Sequence, residues 1–186
     1  MTLPVADALP RTIYRAPDGT DVLDCHPREV AQLLAEGGPL WVDIDSTVRS
    51  QHALLEKVFR FHPLAIEDTL NPHSRVKIEE YADFLFIIIR GVALADQTED
   101  PYDLETKDLY CFLGPKFLVT VHAGAMPSVD RVQDVMRRSP ELLTRGVERA
   151  LHALLDDTVD SFFPILNQLD GFIEGLEERV FTTFDE

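Results

Sequence analysis

Apolar and polar positions over the first 145 residues alternate in short segments that predict strands and short helices. Leu40–Asp45 alternates as a half-buried strand does. Pro27–Ala35 places its apolar residues on one helical face and is followed by two glycines, which end helices readily. Further strands are predicted at Arg11–Arg15, Asp21–Leu23, Phe84–Leu94, Leu109–Leu113 and Phe117–His122. Strands alternating with helices indicate the α/β class.

Local signals predict several other segments. Ser46 or Thr47 is expected to cap a helix, because a hydroxyl at that position satisfies a free backbone N–H. Pro63 is expected to open a short helix, where its missing N–H costs nothing. The spacing of apolar residues predicts a helix over Ser128–Arg138. The acidic stretch Asp96–Glu105 is predicted to be a solvated loop.

The last part of the chain carries an apolar stripe with spacings of three and four residues, which predicts one long helix over about 146–181. The stripe consists of Leu151, Leu155, Thr158, Phe162, Ile165, Leu169, Phe172, Leu176 and Val180. Pro164 is expected to kink this helix. We therefore divide the chain into an α/β domain over 1–145 and a long helix over 146–186, whose far end is expected to pack on something outside a lone monomer.

The net charge restricts the possible partners of the chain more than its overall composition does. Seventeen Lys and Arg against 33 Asp and Glu give a formal net charge of −16. A field of this sign repels phosphate backbones and anionic lipids, so it excludes nucleic-acid binding by bulk electrostatics and leaves divalent cations as natural partners. The longest apolar run, Phe84–Ile89, is far shorter than a membrane helix, so this chain is expected to be soluble. Two distant cysteines suit a reducing cytosol.

Two groups of acidic residues are candidates for a cation site. Glu67 and Asp68 are adjacent on the short helix, and Asp156, Asp157 and Asp160 lie on the long one. Residues 156–186 hold nine acids and one arginine, which is half of the net charge. Physics alone explains both groups more simply as solvated helix faces, since a Mg²⁺ site would need further oxygen ligands from elsewhere.

The sequence gives no support for an enzyme. It contains no Walker, Rossmann, nucleophile-elbow or HExxH pattern, and its six histidines are dispersed, which is typical of surface or capping positions. A soluble metal-dependent hydrolase that uses Glu67, Asp68, His62 and His122 is an alternative hypothesis, and it requires these side chains to converge in one deep pocket. A stand-alone interaction protein that uses the long helix is another.

Five segments carry a family resemblance. They are Trp41-Val42-Asp43-Ile44, Phe61-His62-Pro63-Leu64-Ala65-Ile66-Glu67-Asp68, Arg75–Phe86, Phe117–His122 and Leu154–Pro164. In this order and spacing they resemble the CorA family of magnesium transporters, from about Thr12 to the end of the chain. The resemblance implies an α/β/α sandwich with a mixed sheet, followed by a long C-terminal helix that leads to a stalk and two membrane helices. It implies a cytosolic domain at the cytoplasmic face of the cell membrane.

The resemblance also implies a use for the acidic residues. It implies a homopentamer that admits Mg²⁺, and in some members Co²⁺ or Ni²⁺, with regulatory cations bound between neighbouring subunits. The family's metal ligands fall on Asp68, Glu67 and Asp156, and a further ligand is implied on the adjacent subunit's stalk helix. Asp157 departs from the family pattern and leaves open whether it or Asp156 faces the metal. The ZntB zinc transporters of the same superfamily are the alternative, although the complete run His62–Asp68 favours the magnesium branch.

Overall fold

The computed structural model describes residues 9–71, 74–94 and 103–183. The strands are β1 (Arg11–Arg15), β2 (Asp21–Leu23), β3 (Leu40–Asp45), β4 (Lys77–Glu80), β5 (Leu85–Leu94), β6 (Leu104–Leu113) and β7 (Phe117–His122). The helices are α1 (Pro27–Glu36), α2 (Arg49–Lys57), α3 (Pro63–Asp68), α4 (Pro127–Arg138), α5 (Glu148–Asp160) and α6 (Phe162–Thr183), with a 3₁₀ helix at Pro140–Arg145. Across these ranges the strands form one mixed sheet in the order β2-β1-β3-β7-β6-β5-β4.

The parallel pair β3 and β7 forms the centre of the sheet, with Leu40 beside Phe117 and Asp45 beside His122. The other neighbouring strands pair antiparallel. A parallel pair needs both faces covered, and all of β3 except Asp45 is buried.

Successive residues of β3 face two separate cores. Leu40, Val42 and Ile44 pack in the core that also contains side chains of α1, α2 and α3. Trp41 packs on the opposite face, with side chains of α4 and α5. Helices therefore cover both faces of the sheet, which confirms the α/β/α sandwich with a mixed sheet and a long C-terminal helix.

A buried carboxylate joins the central strands. Asp43 accepts two hydrogen bonds at Oδ2 from Arg11 of β1, at 2.8 Å from Nε and 2.6 Å from Nη2. Its Oδ1 accepts a 2.5 Å hydrogen bond from the Thr120 hydroxyl, which in turn accepts one from Trp41 Nε1 at 3.0 Å. His122 Nε2 lies 3.2 Å from the same carboxylate. Arg11, Asp43, Thr120 and His122 thus meet on the sheet face that α4 covers.

The surroundings of His122 require a doubly protonated ring. Its Nδ1 lies 2.7 Å from the Gly124 carbonyl and its Nε2 lies 3.2 Å from Asp43, and both partners only accept hydrogen bonds. Burial alone would lower the pKa of His122, but the hydrogen bond and charge of Asp43 outweigh it, so this pKa is raised. Burial likewise opposes ionisation of Asp43, but His122 and Arg11 overcome it, so the pKa of Asp43 is lowered. The two groups form a buried ion pair.

One predicted helix cap and one predicted loop boundary were wrong. Neither Ser46 nor Thr47 caps α2: Val48 occupies the N-cap position, and Thr47 hydrogen-bonds the Asp45 carboxylate instead, at 2.9 Å from N and 2.7 Å from Oγ1. β6 begins at Leu104, because that segment pairs with β5, so the predicted loop over 96–105 extends too far. The rest of that loop, 96–102, lies outside the described residues.

The long C-terminal helix is divided into α5 and α6, which meet at Ser161. Pro164 lacks the N–H that would donate to the carbonyl of Asp160, so the helical hydrogen bonds are interrupted where a kink was predicted. Within the apolar stripe Leu151, Thr158 and Ile165 are buried, whereas Leu155 and Phe162 are exposed. Beyond Ile165, Leu169, Leu176 and Val180 are exposed as well. No helix in the described ranges is long and apolar enough to cross a membrane. The division into domains 1–145 and 146–186 stays a prediction.

The ion pair predicts a pH-dependent stability. Because the folded pKa of His122 is raised above its unfolded value of about 6.5, its contribution is complete below that value and is lost as the pH rises through the folded pKa. We expect His122→Gln to destabilise the protein most near pH 6, with the difference from wild type shrinking toward pH 9. Urea unfolding at each pH measures this. His152→Gln, at an exposed histidine, is the control. A pH-independent difference for His122→Gln would contradict the charged pair.

Candidate functional site

Helix α3 carries the first group of predicted ligands, and its sequence explains its shape. His62 is the N-cap residue and its Nδ1 accepts a 3.3 Å hydrogen bond from the backbone N–H of Leu64. Pro63 follows at the first helical position, as predicted. Ala65 is the buried residue of this helix. With Ala65 turned to the core, Glu67 can face outward, and it lines a surface hollow together with Asp68.

Asp68 is already engaged by cationic and hydroxyl groups of its own chain. Lys77 Nζ lies 2.7 Å from Asp68 Oδ2, and the Ser74 hydroxyl donates to Oδ1 at 3.2 Å. The same ammonium lies 2.8 Å from Glu79 Oε1, and the Tyr81 hydroxyl donates to the other oxygen of Glu79 at 3.1 Å. Hydrogen bonds to Asp68 and Glu79 raise the pKa of Lys77. The ammonium group of Lys77 therefore lies between the carboxylates of Asp68 and Glu79 at this hollow.

One exposed apolar side chain, Leu64, lines this hollow, and other exposed apolar side chains lie on the adjoining segments. Leu64 and Leu70 on and after α3, and Val76 and Ile78 at β4, are 60–71 % exposed. Among the strands that the structure describes, β4 lies at the edge of the sheet, so one of its backbone edges has no neighbouring strand there. Exposed apolar side chains close to a polar hollow are compatible with a surface that binds another protein chain.

Asp156 and Asp157, from the second group of acidic residues, have different surroundings. Both carboxylate oxygens of Asp157 accept hydrogen bonds from Arg131, at 2.8 Å from Nε and 2.6 Å from Nη2, and this pair ties α5 to α4. The side chain of Asp156 is 74 % exposed, and the Nδ1 atom of His152, one turn earlier on α5, lies 3.6 Å from its Oδ2. The structure thus leaves Asp156 as the acid that is accessible to a ligand.

The three predicted ligands do not meet in one place. Glu67 and Asp68 line one hollow, whereas Asp156 lines another, beside His152 and Arg149. In the part of the chain that the structure describes, no group of three His, Cys, Asp or Glu side chains could hold a metal ion together. Carboxylates that reach the ion partly through water fit Mg²⁺, which keeps several waters and binds few protein ligands. They do not fit a closed zinc site.

The hydrolase hypothesis finds no support in this geometry. His122 belongs to the buried Asp43 pair, and His62 caps α3. Neither histidine lines the hollow that contains Glu67 and Asp68. The four side chains that the hypothesis needs are therefore separated, and in the described residues they form no common pocket.

Comparison with known proteins identifies the family. Residues 36–186 match the family model described as CorA-like Mg²⁺ transporter protein. The chain belongs to the CorA-like family. It is 33 % identical over 138 residues to YfjQ of Bacillus subtilis, to which metal ion transport is ascribed, covering 74 % of this chain and 41 % of that protein. It is 26 % identical over 146 residues to the cobalt/magnesium transport protein CorA of Thermotoga maritima, covering 76 % of this chain and 40 % of that protein.

Solved structures show the same CorA-like fold. The soluble domain of CorA from Methanocaldococcus jannaschii matches with a TM-score of 0.67 and 17 % identity, over 98 % of this chain and 67 % of that one. The ZntB cytoplasmic domain from Vibrio parahaemolyticus matches with a TM-score of 0.56 and 13 % identity, over 92 % and 63 %. The family is one of transporters rather than enzymes. This CorA-like chain spans less than half the length of the two relatives named above.

The sequence alone did not reveal that Lys77 bridges Asp68 and Glu79, or that Asp157 pairs with Arg131. Lys77 and Glu79 are two residues apart, so a strand at that position would have placed them on one face. That strand was not predicted, because β4 is only four residues long. Arg131 and Asp157 are 26 residues apart, so no local pattern reveals their contact.

The different roles of Asp156 and Asp157 give a matched pair of variants. We expect Asp157→Asn to lower the free energy of unfolding by about 0.5–1 kcal/mol, since it weakens a partly exposed bidentate ion pair. Asp156→Asn should be neutral or slightly stabilising, because it removes repulsion from Asp160 one turn away. Urea unfolding of both variants measures the difference. Equal destabilisation by the two substitutions would contradict this assignment.

Proposed function

We propose that this chain is the cytosolic, Mg²⁺-sensing domain of a CorA-like divalent cation transporter. The transporter is a homopentamer that admits Mg²⁺, with Co²⁺ or Ni²⁺ as further substrates, and the domain lies at the cytoplasmic face of the cell membrane. The observation that carries the proposal is the separation of the candidate ligands. Glu67 and Asp68 lie on one exposed surface and Asp156 on another, so a shared cation requires two copies of the chain.

The surface around α3 and β4 supports contact with another subunit. Leu64 lines the acidic hollow, and Leu70, Val76 and Ile78 are exposed on the adjoining segments. Burying such side chains against a neighbour would stabilise an assembly by about 25 cal/mol for each Å² removed from water. The neighbour proposed here presents α5, because Asp156 is exposed on that helix. The contact then places carboxylates of both subunits near one another.

Electrostatic repulsion makes such an interface sensitive to Mg²⁺. The chain carries a formal charge of −16, so bringing two acidic surfaces together is unfavourable unless cations neutralise them. A divalent ion that bridges the subunits favours the assembled, closed arrangement, and loss of the ion releases it. Because each subunit supplies few ligands, we expect a dissociation constant on the order of 1 mM for Mg²⁺.

The ligand chemistry favours magnesium over zinc for this regulatory site. Carboxylate oxygens are hard ligands that suit Mg²⁺, whereas zinc sites use histidine nitrogen and cysteine sulfur. Both cysteines, Cys25 and Cys111, are buried and lie in the two cores of the sandwich. The fold is shared with a ZntB domain. The carboxylate ligands, rather than the fold, therefore support magnesium over zinc.

Transport by the full-length protein in vesicles tests this function. We expect millimolar Mg²⁺ on the cytosolic side to inhibit cation flux through the wild type, because it occupies the sites between subunits. Asp68→Asn and Asp156→Asn should each shift this inhibition to Mg²⁺ concentrations several-fold higher, since each removes a ligand of the bridging ion. A fluorescent Mg²⁺ indicator measures the flux.

Asp157→Asn is the matched control, because it removes the same charge next to Asp156 from a side chain that already binds Arg131. It should leave the inhibition within about twofold of the wild type. Unchanged inhibition in both ligand variants, or an equal shift in the control, would contradict the proposed sites.

A further inference from the structure

Lys77 occupies the position that a cation bound to Asp68 would take. Its Nζ lies 2.7 Å from Asp68 Oδ2 and 2.8 Å from Glu79 Oε1, so one ammonium already bridges two carboxylates. The second oxygen of Asp68 accepts a hydrogen bond from Ser74. Each carboxylate oxygen of Asp68 therefore has a partner within the chain. A metal ion that binds this carboxylate has to share or displace one of these partners.

The ammonium is held in place by the strand that carries it. Lys77 and Glu79 lie on the same face of β4, and β4 pairs with β5 through Lys77 beside Ile88 and Glu79 beside Phe86. Lys77 Nζ also lies 5.8 Å from the centre of the Phe86 ring, within the range in which a cation is attracted to an aromatic face. Because Lys77 is tethered to the sheet, its local concentration at Asp68 does not depend on the solution.

We propose that Lys77 is a tethered competitor of the divalent cation at Asp68, and that this competition raises the Mg²⁺ concentration at which the domain responds. The inference rests on the function proposed above and adds a residue that sets the affinity of that site. Removing the ammonium eliminates both the bond that Mg²⁺ has to displace and a positive charge that repels the ion. We expect about three- to tenfold tighter Mg²⁺ binding without it.

The test is a titration of the 186-residue chain with MgCl₂, followed by the NMR signals of the α3 backbone amides at constant ionic strength. Lys77→Met keeps the apolar stem of the side chain and removes its charge. Lys116→Met removes the same charge at another hollow of the surface, beside Gly37 and Pro39, and controls for the change in net charge. Lys77→Arg keeps the positive charge. Asp68→Asn removes the proposed ligand.

We expect Lys77→Met to lower the Mg²⁺ dissociation constant about three- to tenfold, Lys116→Met to change it less than about twofold, and Lys77→Arg not to lower it. If Lys77→Met binds Mg²⁺ no more tightly than Lys116→Met, while Asp68→Asn still weakens binding, the competition is refuted and the proposed site stands. If Asp68→Asn leaves the titration unchanged, or the α3 signals show no saturable shift, the proposed site is refuted together with this inference. The midpoint of thermal unfolding without Mg²⁺ reports separately any loss of stability in Lys77→Met.

Discussion

Neutralisation of the buried Asp43 carboxylate is the constraint on which the sheet depends. A charge removed from water is costly unless it is paired and hydrogen-bonded, and Asp43 is 3 % exposed. Its partners come from both neighbouring strands, with Arg11 on β1 and His122 on β7. A shift of one residue in either pairing would turn these partners to the opposite face. The ion pair thus fixes the register of β1, β3 and β7. It gives Asp43 and His122 of the Trp41–Ile44 and Phe117–His122 motifs a structural role that involves no metal.

The sandwich places the acidic residues of α3 and of α5 on different surfaces. α3 packs against one face of the sheet and α5 against the other, because the two cores lie on opposite sides of β3. Glu67 and Asp68 are carried by α3 and Asp156 by α5. Under the proposed function, this separation of the candidate ligands means that a shared cation would bind between copies of the chain rather than within one. The concentration of negative charge makes such copies repel one another when no cation is present.

The sequence predicted those features whose signal is local. β3, β7 and α4 follow from alternation or helical spacing within a single segment, and α3 from Pro63. β4 was missed because four residues give too short an alternation, and the start of α2 because Thr47 binds Asp45 rather than the helix. The family resemblance supplied the candidate ligands. It did not supply the ion pairs that separate Asp156 from Asp157 or join Lys77 to Asp68, because those partners come from other elements of the fold.

The central claim is that Asp68 of one subunit and Asp156 of its neighbour bind the same cation. Co-assembly of Asp68→Asn subunits with Asp156→Asn subunits in one transporter tests it most directly. Some interfaces of the mixed assembly then combine an intact Asp68 with an intact Asp156 from different chains, although no single chain carries both. The account predicts that mixed assemblies regain part of the inhibition by cytosolic Mg²⁺ that each variant alone has lost. Mixed assemblies that respond no better than either variant alone would contradict it.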